Sequence, residues 1–340
     1  MAASLIERVA TRHEVDTSQL TASVARAEQF LGELRTMLQA RFPYDQAPGF
    51  DVIVTGSLAK RQCTKGSDLD FFGVTEQPVE STKTEPIVRA MLEMASANGF
   101  DLPFSGGPNA AFVPRASIET IDLPNDTNRN VFRRMSLVTA SVSVYRPELR
   151  ADILRSTLST FIGREREPRV RGIIDQILLL SRLGNMTVEW RMKDRTSSDG
   201  GLTQWSKSLT LYRIELAGAV AAVLRAGIAS EGRSRDDLLD SVATELERAP
   251  LDRLLAWYDD VSPAGQQALA AVVGVANDTL CLLATDGVRT RLAAVADDEP
   301  TRALRQQFSE QMSVLRKALV QLFYRESVFR PWIEELGLFG

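Results

Sequence analysis

The chain has 340 residues, 44% of them apolar, and a net charge of −4, which gives material for a sizeable core and length enough for two domains. That acidic balance excludes a protein that coats nucleic acid through a global positive field and confines any polynucleotide contact to a local patch. Two cysteines, Cys63 and Cys281, and one histidine, His13, exclude a disulfide scaffold, a Cys/His zinc site and most histidine acid–base chemistry, so the chemistry here rests on carboxylates.

The opening MAASLIERVATRHEVD mixes charged and apolar positions and lacks the continuous apolar run of a signal peptide. Leu20, Val24, Ala27, Phe30, Leu31, Leu34 and Leu38 then recur at three and four residues, which predicts an amphipathic helix before the loop FPYDQAPGF. DVIVT at 51–55 reads as a short buried strand, Gly56-Ser57 as a strand-to-helix turn, and LDFFGV at 69–74 as a second strand. IVRAMLEMASANGF at 87–100 reads as a helix closed by Asn98-Gly99. The Pro/Gly-rich passage after it, with FSGGPNAAFVP and SIETIDLPNDTN, holds one or two further strands.

From Arg129 onward strand signals nearly vanish. VFRRMSLVTASV, RGIIDQILLLSRLG, LTLYRIELAGAVAAVL, LLDSVATELERAPLDRLLAWYDD and QQFSEQMSVLRKALVQLFYRE all carry helical periodicity. The expectation is an α+β chain: residues 1–125 form a small mixed β-sheet with flanking helices, and 126–340 form a large all-helical lobe. The most apolar of these stretches, LAGAVAAVL at 216–224, is too short to cross a bilayer, so a soluble cytoplasmic protein without a membrane partner is expected.

The stretch GSLAKRQCTKGSDLDFF at 56–72 carries the chemistry. Alternate strand residues share a face, so Asp68 and Asp70 point one way and Leu69 the other. Two converging carboxylates repel each other beside an apolar core unless a divalent cation or a shared proton compensates, and hard oxygen ligands suit Mg²⁺ or Mn²⁺. Ahead of them Gly56 permits a sharp turn, and Ser57 opens a helix whose unpaired N–H groups suit a phosphate. Lys60 and Arg61 follow one turn later and fit either an exposed helix face or a phosphate; Ser67 offers a hydroxyl to phosphate or metal. Phosphate groups on one side and metal ligands on the other describe a nucleoside triphosphate site. Cys63 reads as a small buried residue.

A Gly-Ser turn followed about ten residues later by SDLDFF resembles the signature of the polymerase-β-like nucleotidyltransferase superfamily. By that resemblance the sheet is a nucleotidyltransferase core, Gly56 and Ser57 hold the β- and γ-phosphates, and Asp68 and Asp70 bind two metals. More narrowly, the chain is similar to a bacterial group of nucleotidyltransferases distantly related to the GlnD uridylyltransferase domain. That group pairs a GSLARxQxTxxSDLDF-type motif with a basic-basic-Met helix, matched here by NRNVFRRMSLV at 128–138, and with a Trp- and Arg-bearing helical segment, matched by QWSKSLTLYRIEL at 204–216. EWRMK at 189–193 departs from the group's pattern, with Arg191 where an acid stands. The superfamily also supplies a third carboxylate, for which Glu119, Asp122 and Asp126 are the candidates. Glu119 and Asp122 cannot share a strand face, and Asp126 suits a helix N-cap equally well.

Ten arginines between residues 129 and 171 either form solvated faces with acidic partners or face the cleft toward a triphosphate or an RNA backbone. Trp190 and Trp205, near Lys193 and Lys207, are core residues or base-stacking platforms. The expected function is Mg²⁺-dependent transfer of a nucleoside monophosphate from an NTP to a hydroxyl or phosphate acceptor on a protein, a tRNA or a small molecule. The alternative is a non-catalytic nucleotide-binding module that docks a partner protein through its helical lobe.

Overall fold

The computed structural model describes residues 2–44, 49–101, 111–120, 127–161, 170–179, 210–293 and 298–330. The chain divides into two compact units, one of residues 1–22, 185–224 and 250–340 and the other of residues 23–184 and 225–249. Each is assembled from separate chain segments, a division that crosses the boundary expected at residue 125.

The first two helices are α1 (Ala2–His13) and α2 (Ser18–Arg41), the latter extending the predicted periodic stretch at both ends. β1 (Phe50–Val54) leads into α3, a single turn at Gly56–Ala59, and β2 (Phe71–Thr75) follows. α4 (Ser81–Ala97) starts six residues earlier than the apolar pattern suggests and stops where expected: Asn98 is its C-cap and Gly99 adopts φ +68°. Then come β3 (Phe112–Pro114), the short α5 (Ala116–Glu119), α6 (Asn128–Thr139), β4 (Val142–Ser143) and α7 (Pro147–Phe161).

The strands form one mixed sheet in the order β3-β2-β1-β4. β1 and β2 are antiparallel with Val54 beside Phe71, β3 joins β2 in parallel with Phe112 beside Gly73, and β4 lies antiparallel along the other edge of β1 with Val142 beside Val54. The chain is therefore α+β, mainly helical with a small mixed sheet. β4 corrects the helical expectation for VFRRMSLVTASV: α6 ends at Thr139, and Val142 and Ser143 pair with β1 because that edge supplies backbone partners that a further helical turn cannot.

Every residue of β1 and β2 is buried, which is why neither strand alternates cleanly in the sequence. On one face Phe50, Val52, Val54, Leu69 and Phe71 pack in a single core with Leu31, Leu34 and Leu38 of α2 and Ile87 and Met91 of α4. The opposite face carries Asp51, Ile53, Phe72 and Val74, with α7 packed on β1 and α5 and α6 packed on α7. Gly73 has no room for a side chain, because a Cβ there would collide with the ring of Phe112.

The other unit is helical among the described residues. α1 packs on Pro263–Ala284, and His13 Nε2 sits 2.8 Å from the Tyr258 hydroxyl with Nδ1 3.1 Å from Gln267. Gly218 lies where the Pro250 backbone crosses its helix, and Trp257 Nε1 donates to the Ala221 carbonyl at 3.2 Å. Pro263–Ala284 is long and apolar enough to cross a membrane by composition, yet its apolar side chains, among them Leu269, Val272, Val273, Ala276 and Leu280, are buried within the protein.

Candidate functional site

The Gly-Ser turn and the two aspartates meet at one end of the sheet. The β1–β2 register continues one residue beyond the strands, since the Thr55 N–H donates to the Asp70 carbonyl at 2.8 Å. Asp70 thus stands beside Thr55, at the point where the chain leaves β1 through Gly56. Gly56 adopts φ +65°, and a Cβ placed on it would collide with Oδ2 of Asp70. Only glycine meets both demands, a left-handed backbone and an aspartate carboxylate lying against its α-carbon.

The helix expected after the turn is a single turn of four residues, so the dipole contribution anticipated for phosphate binding is small. Within it the Ser57 hydroxyl is buried and has no hydrogen-bond partner. Gln62, only 3% exposed, donates its backbone N–H to the Ser57 carbonyl at 2.8 Å, while both polar atoms of its side chain are buried without partners. An unanswered hydroxyl and an unanswered amide beside one turn cost several kcal/mol together and call for a partner, either water or ligand.

Sequence-adjacent candidates divide by placement. Lys60, the C-cap of α3, is buried. Arg61 has φ +58°, unusual for a non-glycine residue, and its guanidinium turns to α2, where Nε donates to Glu28 at 2.7 Å and Nη1 to the Ala59 carbonyl at 2.9 Å. Ser23 of α2 donates to the carbonyls of Arg61 and Cys63, so α2 straps the loop down from outside. Cys63 is buried as expected and burial raises its thiol pKa. The Ser67 hydroxyl accepts from the Thr64 N–H at 2.9 Å, closing the turn that delivers the aspartates.

Asp68 lies just ahead of β2, on the same face as Asp70, and forms an isolated parallel bridge with Asp101. The Leu69 N–H donates to the Asp101 carbonyl and the Asp101 N–H to the Ser67 carbonyl. Asp101 is therefore the acid whose backbone the fold sets beside Asp68, although its carboxylate is not gathered with the pair. Its one signal in the sequence is its place two residues after the Asn98-Gly99 stop. Glu119 is placed elsewhere: the expected strand is a helical turn, the Arg115 N–H donates to the Thr75 carbonyl, and Glu119 is held bidentately by Arg115 at 2.6–3.1 Å. Thr75 is five residues along β2 from Asp70, about 16 Å at strand rise, so Glu119 serves the far end of the sheet. Asp122 and Asp126 lie outside the described residues, and the N-cap of α6 is Thr127.

Among the described residues no group of three or more His, Cys, Asp or Glu is gathered so that it could hold a metal ion. The donor set is then two carboxylates with the Ser57 hydroxyl nearby. It fits Mg²⁺, which keeps several waters and takes its remaining ligands from substrate phosphates, better than a cation that demands an all-protein cage.

The arginine cluster also divides. Arg155 and Arg171 pair at the surface with Asp236, Asp240 and Asp175. Arg133, Arg134 and Arg150 are buried. Arg134 donates to the carbonyls of Ile118 and Thr120, holding the end of α5, and burial beside Arg129 pushes the Arg133 pKa down to about 10. Trp190, Trp205, EWRMK and most of GREREPRVR lie outside the described residues. No protein-family model matches the chain, and no curated protein matches it.

Proposed function

We propose that the chain is a metal-dependent nucleotidyltransferase that moves a nucleoside monophosphate from an NTP to a hydroxyl or phosphate acceptor and releases pyrophosphate. The observation that supports this most is the lodging of the Asp70 carboxylate against the bare α-carbon of Gly56, which couples the Gly-Ser turn to the Asp68/Asp70 pair. In this reading Asp68 and Asp70 hold Mg²⁺ or Mn²⁺, which supplies charge neutralisation on the phosphoryl oxygens. The Ser57 hydroxyl and the N–H groups of the Gly56 turn orient the outer phosphates. The acceptor oxygen releases any proton it carries to solvent and bonds to the α-phosphorus as the α–β bridging bond breaks, and the electron pair leaves on pyrophosphate. Lys60, buried at the end of the turn, adds positive charge there; Arg61, paired with Glu28, holds the loop. A net charge of −4 favours a protein or small-molecule acceptor over a long RNA.

A second reading, a nucleotide-binding module without turnover that docks a protein through its helical lobe, is favoured by the absence of a third gathered acid among the described residues. Pyrophosphate release from each labelled NTP, with Mg²⁺ and in the presence of lysate, tRNA or aminoglycoside acceptors, separates the two. Asp68→Asn and Asp70→Asn should each lower it at least about 100-fold, since loss of outer-shell partners alone commonly costs 10–100-fold. Mg²⁺-dependent binding without any release or label transfer favours the second reading.

A further inference from the structure

The β1–β4 register, continued by one residue, sets Ser141 beside Thr55 just as the β1–β2 register sets Asp70 there. Asp70, Thr55 and Ser141 therefore stand in a row one residue beyond the ends of β2, β1 and β4. All three lie on the face covered by α7, with Ser141 and Asp70 about 10 Å apart at ordinary strand spacing. Above Ser141 sits Arg150 of α7, 5% exposed, which donates from Nε to the Ser141 hydroxyl at 3.0 Å.

That hydroxyl in turn donates to the Leu137 carbonyl, so its orientation is fixed. Nη2 of Arg150 is buried and has no partner, and among the described residues no carboxylate oxygen comes within ion-pair distance of the guanidinium. Asp51, one of the two carboxylates whose charge acts on Arg150, accepts on Oδ1 from the N–H groups of Val52, Tyr145 and Arg146 and from the Ser143 hydroxyl, which pins the start of α7 to β1 and sets where Arg150 can reach. Glu247, the stronger of the two, is exposed and makes no ion pair with Arg150, and Arg61 is committed to Glu28. A guanidinium is almost never buried without an anion, and its planar fork matches phosphate oxygens.

We propose that Arg150 binds a phosphate oxyanion at the same end of the sheet as the Gly56-Ser57 turn and Asp68/Asp70. This rests on the nucleotidyltransferase reading for the source of the phosphate, which is either the polyphosphate tail of the NTP or a phosphate on the acceptor. The span of about 10 Å from Asp70 to Ser141 is of the order that a triphosphate chain with its outer oxygens covers. In the sequence Arg150 is one of ten arginines between residues 129 and 171.

The test is titration of the full chain with inorganic tripolyphosphate, followed by calorimetry and thermal melting, with and without Mg²⁺. Wild type should bind and melt higher with the anion. Arg150→Met should weaken binding at least about tenfold while melting unchanged or higher without anion, because a neutral side chain of similar size removes an uncompensated buried charge. If Arg150→Met does not fold, Arg150→Lys decides: it keeps the charge and loses the fork, so weaker binding supports the proposal and wild-type binding overturns it. No tripolyphosphate binding by wild type, or equal binding by Arg150→Met, also overturns it. So does a result in which Arg150→Met and Asp51→Asn are coupled in stability and neutral toward the anion, since Arg150 then serves Asp51 across a water. Mutual exclusion of tripolyphosphate and NTP assigns the site to the nucleotide tail, and simultaneous binding assigns it to the acceptor. Arg150-dependent anion binding without pyrophosphate release by wild type retains the site and removes the transferase reading; release that depends on Asp68 and ignores Arg150 does the reverse.

Discussion

Replacing Asp51 by Asn should change the pH dependence of stability in a direction that the structure dictates. Asp51 is fully buried in β1, and burial raises its pKa from 3.8 to about 7, against hydrogen bonds from the Arg146 N–H, Ser143, the Val52 N–H and the Tyr145 N–H that favour the charged form. The raised value means that the folded chain holds a proton the unfolded chain has released between those two pH values. Stability is thus fully present below about pH 3.8 and is lost as pH rises to about 7. About three pH units at about 1.4 kcal/mol each give a loss on the order of 4 kcal/mol.

Asparagine keeps an oxygen for the donors that Oδ1 now accepts from, and it puts an amide where Oδ2 has no partner, at a cost of about 1–3 kcal/mol. Asp51→Asn should therefore be more stable than wild type by about 1–3 kcal/mol at pH 8 and less stable by a similar amount at pH 4. Urea unfolding of both proteins at pH 4, 6 and 8 measures the difference, in which the other titrating groups cancel. A difference that does not vary with pH refutes the reasoning. So does wild-type stability that rises relative to the variant between pH 4 and 7, which would mean that the donors on Oδ1 outweigh burial.

Two glycines carry further predictions. Gly56→Ala should cost about 1–2 kcal/mol of stability for its left-handed backbone and should displace Asp70, so Mg²⁺-dependent nucleotide binding falls by more than the stability loss explains; normal binding would show that the coupling of turn and carboxylate is incidental. Gly73→Ala, which strand propensity favours, should instead destabilise by about 1–3 kcal/mol because the new methyl meets the Phe112 ring, and Phe112→Leu in the same chain should recover part of the loss. A neutral Gly73→Ala by chemical denaturation would mean that β3 gives way easily.

What the sequence determined by itself is local. Leu20 to Leu38 repeat with the period of one helix face, Asn98-Gly99 can only stop a helix, and the spacing of Gly56, Ser57, Asp68 and Asp70 defines a turn and an acidic pair before any partner is known. The tertiary structure decided everything that depends on which distant strand lies beside which. β4 reads as helix in VFRRMSLVTASV and becomes a strand because the β1 edge offers it backbone partners. Glu119 falls in the right interval for a third carboxylate and lies at the wrong end of β2, while Asp101, outside that interval, is bridged to Asp68. Arg61 and Arg150 are alike as residues in a basic sequence. One turns to Glu28, and the other is buried on α7 above Ser141, because burial and register are set by pairings 30 to 90 residues apart, which no local pattern encodes.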